Sequence, residues 1–490
     1  YTARMQLQVS PRVRLGTAVG FQAYSKKQAL LRAQASAFPA PGIETIGGGS
    51  VRSGLERRIA SKSAGYFGEQ QVALDEKVFV TLGLRADGHS AFGESLGYQF
   101  YPKVDLSYLL SAEDFWPERY GSLRLRAAYG TAGRQPTAYA TEQTWQSIRA
   151  AGGEPGFIPE NLGNPDLRPE VSHEIEAGLD FTSAGDGRLA VEYTYYNQRT
   201  VDALYQRQPP PSEGFLETQL VNIGEVRNRG HELSVVGKLI TGSRYAWTTR
   251  VAVSTNRNKV TSRGGVPPAN VGSQHFNQWI REGYPAGALF GDRYEKRGDQ
   301  LVLVTDAYLG PPLPTRTLSL SSDVVLFRNV SLNALVDYKG GHKIFSNTMR
   351  WLMNATISQG EPFYDPDDPE TAEFTPGLPV AWMCRGAVDE LTQKRCDEEW
   401  SVHRGDYVYP ADSWHLREVA VSYRVPAAFV ARFGARSATI VLAGRNLWRH
   451  QKYPGLDAES NYITANPLAS QSYFDTPTPR QYTVRLNLVF

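Results

Sequence analysis

A few side chains in the polar segments of this 490-residue chain could do chemistry or hold a ligand. The two cysteines, Cys384 and Cys396, lie twelve residues apart in one long segment. That spacing fits a loop-closing disulfide in an oxidising compartment, with two free thiols as the alternative. Aromatic residues in predicted loops could stack on sugar rings or on a partner lid, or could instead pack the loops or lie at a membrane interface. They include Trp145, Trp279, Trp351, Trp382 and Tyr407.

Motifs for catalysis and for metal binding are absent from the sequence. It contains no HExxH, no GxxxxGK[ST] and no GxSxG, and its eight histidines are dispersed. The acidic run Asp365–Glu370 offers carboxylates that calcium prefers, but its prolines and the lack of EF-hand spacing favour a solvated loop. We therefore predict no catalytic residue, no metal site and no cofactor.

Composition excludes two further classes of protein. No run of about 18 apolar residues occurs, so membrane-spanning helices are not predicted. The net charge is +2, and the lysines and arginines are scattered, so the chain lacks the basic field that nucleic-acid binding needs. Strands of a β-barrel escape the hydropathy test, because only alternate residues must be apolar.

Alternating strands are the elements that must position these side chains. Tyr482, Val484, Leu486, Leu488 and Phe490 share one face of the last strand, opposite polar residues. Between Val171 and Phe181 the opposite face carries three acidic residues, which fit a wet lumen better than a dry core. About fifteen strands are predicted. They include Met5–Val9, Val13–Tyr24, Lys62–Leu74, Tyr98–Leu109 and Trp414–Val425, the last with a possible bulge.

The connections between these strands alternate between short and long. Short turns follow Val9, Leu74, Leu109, Ser183, Thr241, Leu326 and Val425, and the long connections include Ser25–Ser61, Thr261–Arg316, Gly341–Asp412 and Trp448–Pro479. Outer-membrane barrels have brief periplasmic turns and extended outer loops, whereas a soluble sandwich has no reason to sort its loops. We therefore predict an antiparallel transmembrane β-barrel.

The odd strand count indicates how the chain relates to a whole barrel. Single-chain bacterial barrels have an even number of strands with both ends on the periplasmic side. The first residues, YTARMQLQVS, also lack the charged and apolar regions of a signal peptide. Residues 1–490 are therefore expected to be the carboxy-terminal portion of a larger barrel.

A series of segments, in order over nearly the whole chain, resembles the SusC/RagA-like branch of the TonB-dependent outer-membrane transporters. The most distinctive are NPDLRPEVSHEIEAGLDF (Asn164–Phe181) with VEYTYYNQRTVDAL (Val191–Leu204). Others are VTLGLRADGHSAFG (Val80–Gly93), NIGEVRNRGHEL (Asn222–Leu233), EGYPAGALFG (Glu282–Gly291), WHLREVAVSYRVP (Trp414–Pro426), GRNLW (Gly444–Trp448) and PRQYTVRLNLVF (Pro479–Phe490).

This resemblance implies a fold and a function for the whole protein. It implies a barrel of about 22 strands whose plug domain and first strands have no counterpart here. It also implies energy-coupled uptake of large nutrients such as oligosaccharides or peptides, with no enzymatic activity. The implied partners are the TonB–ExbB–ExbD complex acting through the plug region, a SusD-like surface lipoprotein and outer-membrane lipid. The alternatives are a siderophore or cobalamin receptor of the same fold, and a secreted all-β carbohydrate-binding protein.

Overall fold

Fifteen strands form the main sheet of this protein, each hydrogen-bonded to the next. The computed structural model describes residues 1–490 except 93–96, 150–153, 208, 211, 213, 216–217, 272–277, 298–299, 352–403 and 462–467. The predicted all-β class and strand count are confirmed. In their order across the sheet, the strands are β1 (Thr2–Ser10), β2 (Val13–Ser36), β3 (Val51–Leu74), β4 (Val78–His89), β5 (Gln99–Leu109), β6 (Ser122–Arg134), β9 (Glu170–Thr182), β10 (Leu189–Arg207), β11 (Gln219–Thr241), β12 (Tyr245–Ser262), β17 (Arg316–Leu326), β18 (Val330–Gly340), β21 (Ser413–Arg424), β22 (Ser437–Gln451) and β24 (Gln481–Val489).

Nine shorter strands lie in the described parts of the long connections, which were expected to be loops. A hairpin, a four-stranded sheet and a three-stranded sheet are formed there instead. The hairpin is β7 (Thr144–Arg149) with β8 (Pro155–Asn161). The four-stranded loop sheet comprises β13 (Ala269–Asn270), β14 (Gln278–Ile280), β15 (Ala288–Arg297) and β16 (Gln300–Gly310), and the three-stranded loop sheet comprises β19 (Lys343–Ser346), β20 (Val408–Pro410) and β23 (Gln471–Ser472).

The chain divides into two compact units. Unit 1 comprises Tyr1–Ser107, Ala128–Glu174 and Thr200–Gly224, and it contains β1 to β4 and the hairpin. Unit 2 comprises Tyr108–Ala127, Ile175–Arg199 and Glu225–Phe490, and it contains β12 to β24. Among the described residues, no helix is both long enough and apolar enough to cross a membrane.

The pair β2 and β3 corrects one predicted boundary. Ser25–Ser61 was expected to be a loop, yet the two strands stay in register as far as Ser36 and Val51. Both faces of this extension are largely exposed to solvent, so its sequence carries no apolar period that would reveal a strand. Backbone hydrogen bonds alone define the ladder there.

The tight turn between β3 and β4 is held by two arginines, Arg12 of the neighbouring turn and Arg14 of β2. Asp75 and Glu76 both have positive φ, 50° and 52°, which strains residues other than glycine. Arg12 donates two hydrogen bonds to the Asp75 carboxylate and Arg14 donates two to Glu76, at 2.7 to 2.8 Å. These ion pairs compensate for a turn without glycine.

The short connections predicted after Leu109 and Val425 contain brief helices. Two 3-10 turns, Leu110–Ala112 and Glu118–Tyr120, follow β5. After β21 comes α1 (Ala427–Val430), continued by a 3-10 turn at Ala431–Phe433. The other predicted turns are as short as expected.

The best-packed apolar core of unit 2 lies among its long connections. Leu289 and Leu309 of the four-stranded loop sheet pack with Ile344 and Phe345 of β19. Tyr407, Tyr409, Ala411, Tyr453 and Ala458 complete this loop core with Met349. The main-sheet strands instead leave many large apolar side chains exposed, such as Val484 and Leu486 of β24 at 76% and 58%. Burial is therefore concentrated where generic loops were expected.

Candidate functional site

Aromatic side chains mark both ends of the apolar face of β21. Trp414 packs against Tyr338 at the long-loop end, with ring centroids 4.8 Å apart, and Tyr423 lies at the short-turn end. At about 3.4 Å per residue and a tilt of about 40°, the strand between them rises about 23 Å. This height is close to that of the apolar band, about 25 Å, of an outer-membrane barrel. The face between them therefore suits lipid.

A bulge in β21 places Arg417 on the opposite, polar face, within a network of four charged side chains. The register of β21 with both neighbouring strands shifts at Arg417, which confirms the predicted irregularity. Arg417 donates from Nε to Asp337 of β18 at 2.9 Å and from Nη2 to Glu459 of the β22–β24 connection. Lys339 reaches the same Glu459 oxygen at 2.9 Å. Glu459 thus connects a long loop to two strands of the sheet.

The Glu459 carboxylate is strongly stabilised in its charged form. Burial alone would raise its pKa, but hydrogen bonds and charges from Arg417 and Lys339 outweigh burial and lower the pKa to about 2. Glu459 is therefore ionised at every physiological pH, so its ion pairs with Arg417 and Lys339 do not depend on pH in that range.

Three side chains of this network come close enough together to raise the question of a metal ion. Ligand atoms of His415, Asp457 and Glu459 all lie within 4.8 Å of one another. However, Asp457 pairs with Arg449 at 2.9 Å and Glu459 with two cations, so a metal ion would meet three neighbouring positive charges. The arrangement fits a network of ion pairs better than a metal site.

A second polar cluster lies beside the first, at the start of β21. Asp412 accepts hydrogen bonds from the Tyr338 hydroxyl at 2.7 Å and from Arg316 and the Gly341 N–H at 3.2 Å. Burial would raise the pKa of Asp412, but these hydrogen bonds lower it. We call these residues and the Glu459 network together the loop anchor. They attach the connection before β21 and the connection after β22 to the sheet.

Hydrogen bonds also join two long connections directly. The Gln278 amide donates to the carbonyl of Leu468 at 2.7 Å and accepts from the Ser470 N–H at 3.0 Å. The Ser470 hydroxyl donates to the carbonyl of Lys343 at 2.8 Å. The described parts of these three connections therefore form one packed body with the loop core inside.

The predicted site residues fall into different environments. Tyr407 is 2% exposed within the loop core, in agreement with the packing alternative. Trp145 and Trp351 are exposed, and Trp279 lies against the guanidinium of Arg281 at 5.1 Å. Ligand contact for these tryptophans stays a prediction. Trp382, the Cys384–Cys396 disulfide and the acidic run at 365–370 lie outside the described residues.

His342, between β18 and β19, predicts a pH dependence of stability. Burial lowers its pKa from 6.5 to about 4, against the opposing effect of Asp412. Below pH 6.5 the histidine is therefore protonated in the unfolded chain but stays neutral in the folded protein until about pH 4. The contribution of neutral His342 to the free energy of unfolding should be fully present above pH 6.5 and should fall as the pH drops towards 4. At about 1.4 kcal/mol per pH unit, the loss should reach about 3 kcal/mol.

The variant His342→Gln removes this titration and serves as the comparison. Thermal unfolding in detergent at several pH values between 7.5 and 4 should give a flatter pH profile than the parent. Parallel profiles for the two proteins would show that His342 does not carry the effect.

Comparison with known proteins identifies the family. Residues 2–370 match the family model "TonB dependent receptor-like, beta-barrel". The chain belongs to this family. The TonB-dependent receptor P3 of Formosa agariphila is 25% identical over 470 residues, which cover 86% of this chain and 45% of that protein. The TonB-dependent receptor SusC of Bacteroides thetaiotaomicron is 24% identical over 210 residues, 41% of this chain and 21% of SusC.

A solved structure shares the fold. The "RagAB peptide transporter" superposes with a TM-score of 0.79 at 19% identity, over 99% of this chain and 54% of that chain. This TonB-dependent receptor β-barrel chain thus spans about half the length of the curated relatives it matches. Its family resides in the outer membrane of Gram-negative bacteria and is not an enzyme family, so the secreted all-β alternative is set aside.

Proposed function

We propose that this chain is barrel wall and outer loops of an energy-coupled importer of large nutrients, such as oligosaccharides or peptides. The observation that carries the proposal is the family match over most of the chain, joined to a fold shared with a peptide transporter. The lipid-suited face of β21 and the packed body of long connections agree with a wall that crosses the membrane and a surface that meets ligand. Catalytic chemistry plays no part in this function.

The partners belong to the proposal as well. Receptors of the SusC and RagA type pair with SusD-like lipoproteins and with TonB. For this chain, energy would come from the TonB–ExbB–ExbD complex, and a SusD-like lipoprotein would cover the outer surface. The long connections of unit 2 would be the surface available to such a lipoprotein, because the loop anchor holds them in one arrangement.

Uptake in the native bacterium tests the proposal. Deletion of the gene should abolish growth on at least one polymer from a panel of neutral polysaccharides and protein hydrolysates, and deletion of tonB should have the same effect. Growth on the matching monosaccharides or free amino acids is the control, and it should be normal.

Two other results would count against the proposal. A growth defect confined to iron or cobalamin limitation would assign the siderophore or cobalamin alternative. Normal growth on the whole panel together with normal growth under those limitations would contradict both functions.

A further inference from the structure

The four-stranded loop sheet packs one face into the loop core, and the opposite face is exposed in part. Leu289 and Leu309 point into the loop core, and Gln278 is buried on the same side. The register pairs Phe290 with Tyr308 and Trp279 with Ala288, so these side chains share the opposite face. This opposite face is therefore rich in aromatic residues, and Tyr308 is exposed on it.

Three aromatic rings form a continuous cluster on that face. The ring centroids of Tyr284 and Tyr308 lie 5.0 Å apart, and Phe290 lies 4.9 Å from Tyr284 and 5.6 Å from Tyr308. Phe290 is buried beneath the other two, whereas Tyr284 and Tyr308 are 38% and 40% exposed. The cluster thus exposes two tyrosine rings to solvent, and both pack against the buried ring of Phe290.

A planar ion pair borders these rings. The Arg281 guanidinium lies 4.0 Å from the centroid of Phe290 and 5.1 Å from that of Trp279. It also makes a bidentate pair with the Asp306 carboxylate at 2.7 and 2.8 Å. Aromatic packing holds the guanidinium on the Phe290 ring, and the bidentate pair holds the Asp306 carboxylate on the guanidinium.

The backbone of Asp306 is also unusual. It has φ +49°, and the register of β15 with β16 shifts next to it, between Gly291 and Arg293. Its N–H donates to the Asp292 carboxylate at 2.7 Å, which supports this conformation. Bulges redirect side chains, and backbone strain persists where the surroundings hold it. Here the supported conformation accompanies the bidentate pair of Asp306 with Arg281.

We propose that this face, formed by Trp279, Arg281, Tyr284, Phe290, Asp306 and Tyr308, is a platform that binds neutral saccharides. The inference rests on the proposed uptake of large nutrients and names the ligand class. Sugar rings carry apolar C–H faces that stack on tyrosine rings, and their adjacent hydroxyls donate to a carboxylate that keeps free lone pairs. The charges of Arg281 and Asp306 cancel within the platform, which favours neutral sugars over the charged ends of peptides.

Binding by the full-length protein in detergent tests the platform without requiring transport. The probes are a soluble α-glucan, a β-glucan, a xylan, a mannan and a tryptic peptide mixture, measured by retardation in native gels and by calorimetry. Tyr308→Ala should weaken binding of the retained polysaccharide about tenfold, because one stacked ring is lost. Tyr308→Phe keeps the ring and should stay within about twofold of the parent.

Two further variants sharpen the test. Asp306→Asn should also weaken binding, since asparagine tolerates positive φ but loses the charged acceptor. Phe429→Ala removes an aromatic ring that is more exposed than Tyr308 from α1, at the short-turn end, and should bind as the parent does. Heat-modifiable gel migration confirms that each variant is folded.

The outcomes separate the platform from the transport function. Equal binding by the parent and Tyr308→Ala, or no retention of the parent by any of the four polysaccharides, would overturn the platform. A loss confined to peptides in Tyr308→Ala would reassign the ligand class. If saccharide binding is weakened by Tyr308→Ala as expected but growth does not depend on tonB, only the proposed uptake would be contradicted.

Discussion

Replacing Arg417 with methionine should lower the free energy of unfolding by about 2–4 kcal/mol. Methionine keeps most of the side-chain volume but leaves Asp337 and Glu459 without their shared cation in a partly buried site. Lys339 still pairs with Glu459, which limits the loss. Denaturant or thermal unfolding in detergent at pH 7.5 measures the change.

The pH dependence and a second variant show whether the lost charge pairing is the cause. Without Arg417 the pKa of Glu459 should rise, so the destabilisation should shrink as the pH falls and the carboxylate takes up a proton. The double variant Arg417→Met with Glu459→Gln should recover much of the loss. Arg445→Met, which breaks an exposed pair with Glu418, should cost under about 1 kcal/mol. Equal losses in Arg417→Met and Arg445→Met would contradict the importance of the loop anchor.

Substitution of Gly230 by valine should have a larger effect. A Cβ atom at this position of β11 would lie 1.8 Å from the carbonyl oxygen of Thr255 in β12 and 2.6 Å from the Tyr196 hydroxyl. The first of these atoms is backbone and cannot rotate away, so the two strands must separate locally. We expect a loss of more than about 3 kcal/mol, or failure to assemble in the outer membrane.

Gly237, in the same strand, provides the matched control. The nearest atom to a Cβ there is a methyl group of Leu239 at 3.6 Å, which is ordinary contact. Gly237→Ala should therefore be neutral or slightly stabilising, since alanine reduces the entropy of the unfolded chain. The fraction that migrates as the compact form on unheated gels reports both results. A normal compact fraction for Gly230→Val would show that the strands tolerate the separation.

Local patterns were sufficient to predict the main sheet. Alternation identified all fifteen strands, and the closing strand pairs Val484 with Leu442 in the register its apolar face requires. The extension of β2 and β3 escaped prediction because its residues are exposed on both faces.

The loop anchor and the loop sheets could not be predicted from local patterns. Arg417 meets Glu459 across 42 residues, and Asp337 meets Arg417 across 80. The residues next to Arg417, Glu459 and Asp337 in the sequence give no indication of which side chains they pair with. The possible bulge in β21 was the available signal, because a bulge turns an extra side chain towards the polar face.

The contact between Gln278 and Ser470 has a kinetic consequence. These residues are 192 positions apart, so in an otherwise unstructured chain their contact would close a very long loop and cost much conformational entropy. Neighbouring strands such as β17 and β18 meet through a turn of three residues. Hairpins of the wall should therefore form early, and the packed body of long connections should mature last, as a slow phase that follows membrane insertion. The packed body of long connections would then be the final part of the molecule to acquire its structure.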